Sequence, residues 1–118
     1  MQTSREQHLY TVGELCERFA ITRKTLFYYD RAGLLKPAKR TGSQNYKLYD
    51  AASLIRLERI LEYREAGLSI QEIRCLLDAS CSDPTAVLKQ ALVRLQKERD
   101  AKTVQIKNLQ ALIRKLGG

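Results

Sequence analysis

Apolar residues recur at helical spacing along much of the chain, and each such stretch begins at a residue that caps helices. Thr11 and Glu14 form a capping box that predicts a first helix. Thr22 caps a second helix, which is expected to end at Gly33. Residues 20–21 leave room only for a tight turn between the two. The pattern therefore predicts a helix-turn-helix unit.

The segment that follows loses helical spacing and carries loop and strand signals. Pro37 favours an extended backbone, residues 40–45 are polar and turn-rich, and residues 46–49 alternate like a short strand. We interpret this segment as a hairpin, the wing of a winged helix-turn-helix.

Two more helices are predicted after the wing. Asp50 caps a third helix that closes at Gly67, and Ser69 with Glu72 forms a second capping box that opens a fourth. The apolar band of the third helix consists of Leu54, Ile55, Leu57, Ile60, Leu61 and Tyr63, and that of the fourth of Ile70, Ile73, Leu76 and Leu77.

A long final helix is predicted from Asp83-Pro84, and no helix breaker follows before Gly117. Its length of about 33 residues corresponds to roughly 50 Å. A seam with strict 4-3 spacing carries Leu88, Leu92, Leu95, Ile106, Leu109, Ile113 and Leu116, interrupted at its centre by Arg99 and Lys102. Such a seam predicts a homodimer through a coiled coil. The alternative is a helix packed against its own domain.

Positive charge is concentrated in two blocks of the chain. The net charge is +8; residues 22–47 and 84–118 each contribute +6, whereas residues 48–83 contribute −3. A basic helix start followed by a basic hairpin is typical of a surface for duplex DNA. We expect a mainly α protein with a flexible tail (1–8), a winged helix-turn-helix domain (9–80) and a dimerisation helix (83–116).

Candidate DNA-binding residues lie in the second helix and the wing. Arg23 and Lys24 occupy the first turn of the second helix, the part of a recognition helix that reaches base edges. The full candidate set is Thr22, Arg23, Lys24, Tyr28, Tyr29, Arg40, Tyr46, Lys47 and Tyr49. Two of these have an alternative role, because Tyr29 lies on the inward face of its helix and Tyr49 could simply anchor the wing to the core.

Sensing and catalytic chemistry are sparse in the sequence. Three cysteines without a CxxC pair fit a reducing cytoplasm rather than a disulfide framework. Cys16 is expected in the core, and Cys81 is a possible sensor thiol. No metal site, cofactor, nucleophile–base pair, signal peptide or membrane span is predicted, so we expect a cytoplasmic, nucleoid-associated protein that is not an enzyme.

These residues together resemble the MerR family of bacterial transcription regulators. YTVGELCERFAITRKTLFYYDRAGLLKP is similar to the family's helix-turn-helix, NYKLYD to its wing, and EYREAGLSIQEIRCLL to the helix pair that follows. The long helix resembles the family's antiparallel dimerisation coiled coil. One departure is Phe27, where arginine is usual, and this ring is expected to contact the wing or a sugar. Another is Asn45 with Lys47, where glycine and arginine are usual.

The resemblance implies a mechanism. A dimer would bind an inverted repeat in promoter DNA, distort an overlong spacer and so act on RNA polymerase through the promoter. Two other functions stay open: a DNA-architectural or excision-type accessory protein, and an interaction adaptor that binds a partner through the coiled coil. The inducer and the target promoters are not readable from these residues.

Overall fold

The computed structural model describes residues 8–42, 46–79 and 81–118. The chain divides into two units, with the boundary after residue 80. The elements of the first unit are β1 (Tyr10–Thr11), α1 (Val12–Phe19), α2 (Arg23–Arg31), β2 (Lys39–Thr41), β3 (Tyr46–Tyr49), α3 (Ala51–Glu65) and α4 (Ile70–Leu77), and the second unit is formed by α5 (Pro84–Lys115). Residues 1–7 of the predicted tail and residues 43–45 of the predicted hairpin loop lie outside the described residues.

Both predicted capping boxes are present. The side-chain oxygen of Thr11 accepts a hydrogen bond from the Glu14 backbone at 3.1 Å, and the Glu14 carboxylate accepts one from the Thr11 backbone at 2.8 Å. Ser69 and Glu72 make the same pair of bonds at the start of α4. Each box satisfies two backbone donors that a helix start otherwise leaves unpaired. The two helices therefore begin where local sequence predicts.

The turn between α1 and α2 depends on one left-handed residue. Ala20 has φ 56° and ψ 45°, and its backbone N–H donates to the Cys16 carbonyl. Alanine rarely adopts this conformation, because its Cβ crowds the backbone there. Gly33, at φ 78°, takes the same region after α2 without that crowding. These two reversals confirm the predicted helix-turn-helix.

A three-stranded antiparallel sheet contains the wing. Its order is β1-β3-β2, so that β3 lies between the other two strands. Tyr10 pairs with Tyr49, and Arg40 pairs with Lys47. Strand β1 was not predicted, because two residues are too few to show an alternating pattern. This strand fastens the wing to the start of α1.

The core of the first unit is formed by apolar side chains from helices, strands and loops. Its buried members are Val12, Leu15, Leu26, Tyr29, Leu34, Leu35, Tyr49, Leu54, Leu57, Ile60, Leu68 and Ile73. Ile55 is 60% exposed, which corrects its predicted place in the apolar band of the third helix. Leu54, Leu57 and Ile60 form the buried stripe of α3, and Ile55, about 100° further round the helix than Leu54, lies outside it.

Two arginines tie the helix pair α3 and α4 to the chain that leaves α2. Arg56 donates to the carbonyl of Leu34, and Arg74 donates to the carbonyl of Ala32. Arg56 also pairs with Asp78 at 2.7 Å. Buried or half-buried carbonyls outside regular elements need such donors. The end of α2 is therefore held from one side by α3 and α4.

Helix α5 begins at the predicted cap. The Asp83 carboxylate accepts a hydrogen bond from the Ala86 backbone at 3.2 Å, and Pro84 occupies the first helical turn. The helix runs for 32 residues, and Gly117 follows it with φ 81°. In the described part of the chain, none of the helices has the uninterrupted apolar length that a membrane span requires.

Candidate nucleic-acid interface

The start of α2 presents cations to solvent. Thr22 caps the helix, and its side-chain oxygen accepts a hydrogen bond from the Thr25 backbone at 3.1 Å. Arg23 and Lys24 follow in the first turn, where both are exposed. A helix start also carries a partial positive charge from its unpaired N–H groups. This end of α2 is chemically suited to an anionic partner.

The wing brings two more cations side by side. Arg40 on β2 is the direct cross-strand partner of Lys47 on β3. Tyr46, which begins β3, is 63% exposed. Opposed cations on neighbouring strands repel each other unless an anion lies between them. The structure supplies that anion from another element.

Asp30, in the last turn of α2, is the anion that the wing cations surround. It is only 5% exposed. Its carboxylate lies 3.0 Å from Lys47 Nζ, 3.2 Å from an Arg40 guanidinium nitrogen and 3.4 Å from Lys36 Nζ. Lys36 also donates to the Asp30 backbone carbonyl at 3.1 Å. We call these four residues the Asp30 cluster.

The electrostatics of the cluster favour an ionised carboxylate. Burial alone raises the pKa of Asp30, but hydrogen bonds from Lys47, Arg40 and Lys36 outweigh it, and the pKa lies below its ordinary value of 3.8. A carboxylate that accepts several charge-assisted hydrogen bonds behaves in this way. The cluster therefore holds one negative and three positive charges near neutral pH.

Phe27 contacts the same lysine from a second side. Lys47 Nζ lies 4.1 Å from the centroid of the Phe27 ring, within the range of a cation–π interaction. Phe27 and Asp30 are three positions apart on α2, so they share a helix face. The departure at position 27 thus removes one cation from the helix and provides an aromatic support for another on the wing.

A cavity of about 720 Å³ lies between the helix-turn-helix and the wing. Its walls are formed by Thr11, Val12, Gly13, Arg23, Phe27, Thr41, Tyr46, Lys47 and Leu48. Arg23 lines it from the start of α2, and Lys47 lines it from β3. A Cβ added at Gly13 would lie 3.7 Å from an Arg23 guanidinium nitrogen, so the start of α1 also borders this arginine closely. The two predicted DNA-contacting regions therefore face one concave surface.

The four predicted tyrosines occupy different environments. Tyr28 is 44% exposed and Tyr46 is 63% exposed, which suits both for contact with a partner. Tyr29 is buried, as expected for its ring, and a phosphate contact through its hydroxyl stays a prediction. Tyr49 is fully buried, and its hydroxyl has no hydrogen-bond partner among the described residues.

The burial of Tyr49 corrects its assignment as a DNA-binding residue. A side chain without solvent access cannot contact a phosphate, so the alternative role of an anchor between wing and core applies. Burial, followed by the negative charge of Asp30, raises the pKa of Tyr49 to about 12. The phenol therefore remains neutral well beyond its ordinary range.

The side chains of the predicted seam on α5 are largely exposed. Their exposed fractions are 45% for Leu88, 54% for Leu92, 37% for Leu95, 54% for Ile106, 60% for Leu109, 55% for Ile113 and 89% for Leu116. Val93 and Val104, which lie outside the seam, are also exposed. An apolar row exposed on this scale, although Arg99 and Lys102 interrupt it at its centre, is typical of an interaction surface.

The cysteines differ from their predicted states. Cys75 and Cys81 are disulfide-bonded, whereas Cys16 is free and half-buried. This corrects the expectation that the cysteines do not form a disulfide, and it means that Cys81 is not the free thiol that its predicted sensor role requires. In the part of the chain that the structure describes, no three His, Cys, Asp or Glu residues form a group suited to a metal ion.

Asp30 is the residue of this surface that sequence reasoning missed, whereas Phe27 was expected to contact the wing or a sugar and does contact Lys47 of the wing. Asp30 is the only acid among seven basic residues between positions 22 and 47, and that isolation was the available signal. A lone acid in a basic segment is a candidate for the charge that organises it. Its partners lie six to seventeen residues away, so local spacing did not reveal them.

Comparison with known proteins places these features in a family. Residues 10–80 match the family model described as MerR HTH family regulatory protein, and residues 54–117 match the one described as MerR, DNA binding. The HTH-type transcriptional activator TipA of Streptomyces coelicolor is 40% identical over 80 residues, which cover 68% of this chain and 31% of TipA. The activator mta of Bacillus subtilis is 30% identical over 109 residues, which cover 92% of this chain and 42% of mta. This chain thus spans less than half the length of either relative.

Solved structures show the same fold. The N-terminal part of MtaN, the multidrug transporter activator of Bacillus subtilis, has a TM-score of 0.72 at 31% identity, with 88% of this chain and 97% of that chain covered. The regulator PbrR691 of Ralstonia metallidurans, in complex with lead(II), has a TM-score of 0.72 at 27% identity, with 87% and 84% covered.

Proposed function

This chain belongs to the MerR family of DNA-binding transcription regulators, and we propose that it binds an inverted repeat in promoter DNA as a homodimer. In each subunit the start of α2 reads base edges in the major groove, and the wing contacts the backbone. Distortion of the bound DNA then changes the access of RNA polymerase to the promoter. No catalytic step is part of this proposal, because the similar proteins are transcriptional regulators.

One observation carries the proposal: cations from two elements face a single concave surface. Arg23 and Lys47 line the same cavity, and Lys24 and Arg40 lie beside them on α2 and β2. Phosphate contacts supply much of the affinity of such interfaces, whereas base contacts supply specificity. We assign Thr22, Arg23, Lys24, Tyr28, Arg40, Tyr46 and Lys47 to the interface, with a hydroxyl contact from Tyr29.

The exposed seam of α5 supports the homodimer. An antiparallel pair whose twofold axis passes between Asp100 and Ala101 brings each apolar seam residue opposite another, except for Leu116, which faces the partner's Thr85. Leu92 then faces the partner's Leu109, and Leu95 faces the partner's Ile106. The central layers join Arg99 to the partner's Lys102, where neighbouring acids reduce the repulsion. This register buries three apolar layers on each side of the cationic centre.

The test begins with selection of genomic fragments by the purified chain. Binding of the selected duplex is then measured over a range of salt concentrations. If about six phosphates are neutralised, the slope of log K against log salt is about −5. An adaptor that binds a protein through its coiled coil would give a slope near zero and no enriched sequence, which would refute the proposal.

The selected fragments also separate regulation from DNA architecture. A regulator that acts by distortion enriches promoters whose recognition elements are separated by an overlong spacer, and in vitro transcription from them changes when the protein is added. Binding and bending without any change in transcription would instead identify an architectural protein.

A further inference from the structure

We propose that Asp30 is a positioning residue for DNA binding, which holds the wing cations in place for the phosphate backbone. This inference rests on the proposed function, and it concerns how that interface is ordered before DNA arrives. Asp30 is a buried acid at a surface that is otherwise cationic.

One carboxylate joins α2 to both strands of the wing and to the segment that precedes them. Asp30 belongs to α2, whereas Lys36 precedes the wing, Arg40 lies on β2 and Lys47 lies on β3. Both carboxylate oxygens are used, because Lys36 approaches Oδ1 while Arg40 and Lys47 approach Oδ2. The angle between recognition helix and wing is thereby fixed through side chains as well as through the core.

The cluster keeps enough free donors to bind phosphate. Lysine has three N–H donors and arginine has five, so a single carboxylate does not saturate them. The side chains remain accessible, at 63% for Lys36, 38% for Arg40 and 22% for Lys47. Three cations around one acid leave two net positive charges. Asp30 therefore orders the cations without cancelling them.

Lys47 is the member held most firmly. Asp30 contacts its ammonium group at 3.0 Å, and the Phe27 ring supports it from 4.1 Å. A long flexible side chain loses rotamer freedom when it binds DNA, and prior ordering reduces that cost. We therefore expect Asp30 to increase DNA affinity chiefly by ordering the side chain of Lys47.

The test is a double-mutant cycle of Asp30→Asn and Lys47→Ala, read by DNA affinity and by its salt dependence. Asp30→Asn raises the net charge, so simple electrostatics predicts tighter binding. Positioning instead predicts binding weaker by roughly tenfold, the order expected when charge-assisted contacts are lost. In the wild type, Lys47→Ala should reduce the magnitude of the salt slope by about one. In the Asp30→Asn background it should change the slope little.

Phe27→Leu provides a second variant that leaves the Asp30 cluster charged. It removes the ring beneath Lys47 and should weaken DNA binding by a few fold. This loss should disappear when Lys47→Ala is already present. Thermal unfolding of each variant checks that binding is measured on folded protein. Lys39→Ala, a wing cation outside the cluster, serves as a control whose effect should be equal with and without Asp30→Asn.

Clear outcomes would overturn the inference. Tighter or unchanged binding by folded Asp30→Asn would mean that Asp30 competes with phosphate or has no role in binding. An effect of Lys47→Ala that is equal in both backgrounds would exclude positioning. If Asp30→Asn does not fold, a Phe27→Leu loss that persists without Lys47 overturns the inference. Failure of the wild type to bind any duplex would refute the proposed function instead.

Discussion

Residues 22–47 and residues 84–118 carry the same net charge of +6, but their cations have different surroundings. In the first region three cations lie within 3.4 Å of a buried carboxylate, that of Asp30. In the second, Arg99 pairs with its neighbour Asp100, and both side chains are about two-thirds exposed, at 68% and 69%. Exposed ion pairs of this kind are well solvated and contribute little to the stability of the fold. Charge count therefore does not distinguish the two regions, whereas the arrangement of the charges does.

The apolar side chains of the two regions also differ in how far they are buried. Leu26 of α2 is completely buried within the first unit, whereas Leu109 of α5 is 60% exposed. The first kind stabilises the fold of one chain. An exposed side chain such as that of Leu109 gains stabilisation only when another surface covers it, which supports the proposal that α5 forms a contact between two subunits.

The largest expected effect is on dimerisation, and it comes from a substitution in the seam of α5. Leu109→Asp should raise the dissociation constant of the dimer on the order of a thousandfold, because two leucines leave the interface and two carboxylates enter it. Sedimentation velocity over a range of protein concentrations measures the change. Val104→Asp is the matched control, since Val104 is 57% exposed but lies off the seam. A dimer that tolerates the first change and loses affinity with the second would contradict the assigned face.

The next effect tests the core of the first unit. Leu26→Ala should lower the free energy of unfolding by about 2–5 kcal/mol, because it leaves a cavity beneath α2. Chemical denaturation measures this loss, which should not depend on protein concentration. Leu109→Ala should instead cause a loss that grows as the protein is diluted. The distinction between the two regions fails if both variants show the same concentration dependence.

A smaller effect separates the two basic regions. Lys24→Ala should weaken binding to a selected site by about 1–3 kcal/mol and reduce discrimination between sites, as expected for a base contact. Lys97→Ala removes an exposed cation from α5 and should leave affinity nearly unchanged. Fluorescence anisotropy with selected and scrambled duplexes measures both. Equal losses would mean that α5 also forms part of the DNA surface.

The smallest effect concerns Tyr49. At pH 7, Tyr49→Phe should raise the free energy of unfolding by about 1 kcal/mol, because the removed hydroxyl is buried and makes no hydrogen bond within the described residues. At alkaline pH, the free energies of unfolding of the wild type and Tyr49→Phe should change by different amounts. The pKa of Tyr49 is about 12 in the folded chain and 10.0 for an ordinary tyrosine, so unfolding releases a proton between these values.

The sign of that pH dependence follows from linkage. The contribution of neutral, buried Tyr49 to the free energy of unfolding is fully present below pH 10, and it is lost as the pH rises toward 12. The wild type should therefore lose more stability than Tyr49→Phe in this range. Tyr46→Phe, at an exposed position of the same strand, should follow the wild type. Parallel curves for wild type and Tyr49→Phe would show that Tyr49 does not titrate differently on folding.

Much of the fold was predictable because helix starts are determined locally. A cap and its acceptor lie three residues apart, so Thr11 with Glu14 and Ser69 with Glu72 identify themselves in the sequence. The long period of α5 is equally visible, since its seam repeats over four heptads. By contrast, β1 has two residues and forms only because β3 lies beside it.

The sequence predicted which region of the chain forms the candidate site, but not which side chains contact one another within it. Basic residues and the start of a recognition helix marked residues 22–49, but burial separated Tyr49 from exposed Tyr46 on the same short strand. Phe27 was expected to contact the wing or a sugar, but the lysine that it supports was not identified. Its use as a support for Lys47 depends on a pairing across twenty residues, which no local period encodes.

The sequence by itself determined where helices begin and end, which stretches are basic and which helix carries an unpartnered apolar seam. These properties depend on neighbours within about one or two helical turns, so the spacing of residue types along the chain predicts them. Only the tertiary structure decided that Lys36, Arg40 and Lys47 meet at Asp30, that Arg23 and Lys47 share a cavity and that Tyr49 is enclosed. Those contacts join residues that are distant along the chain, and the packing of α2 against the wing brings them together.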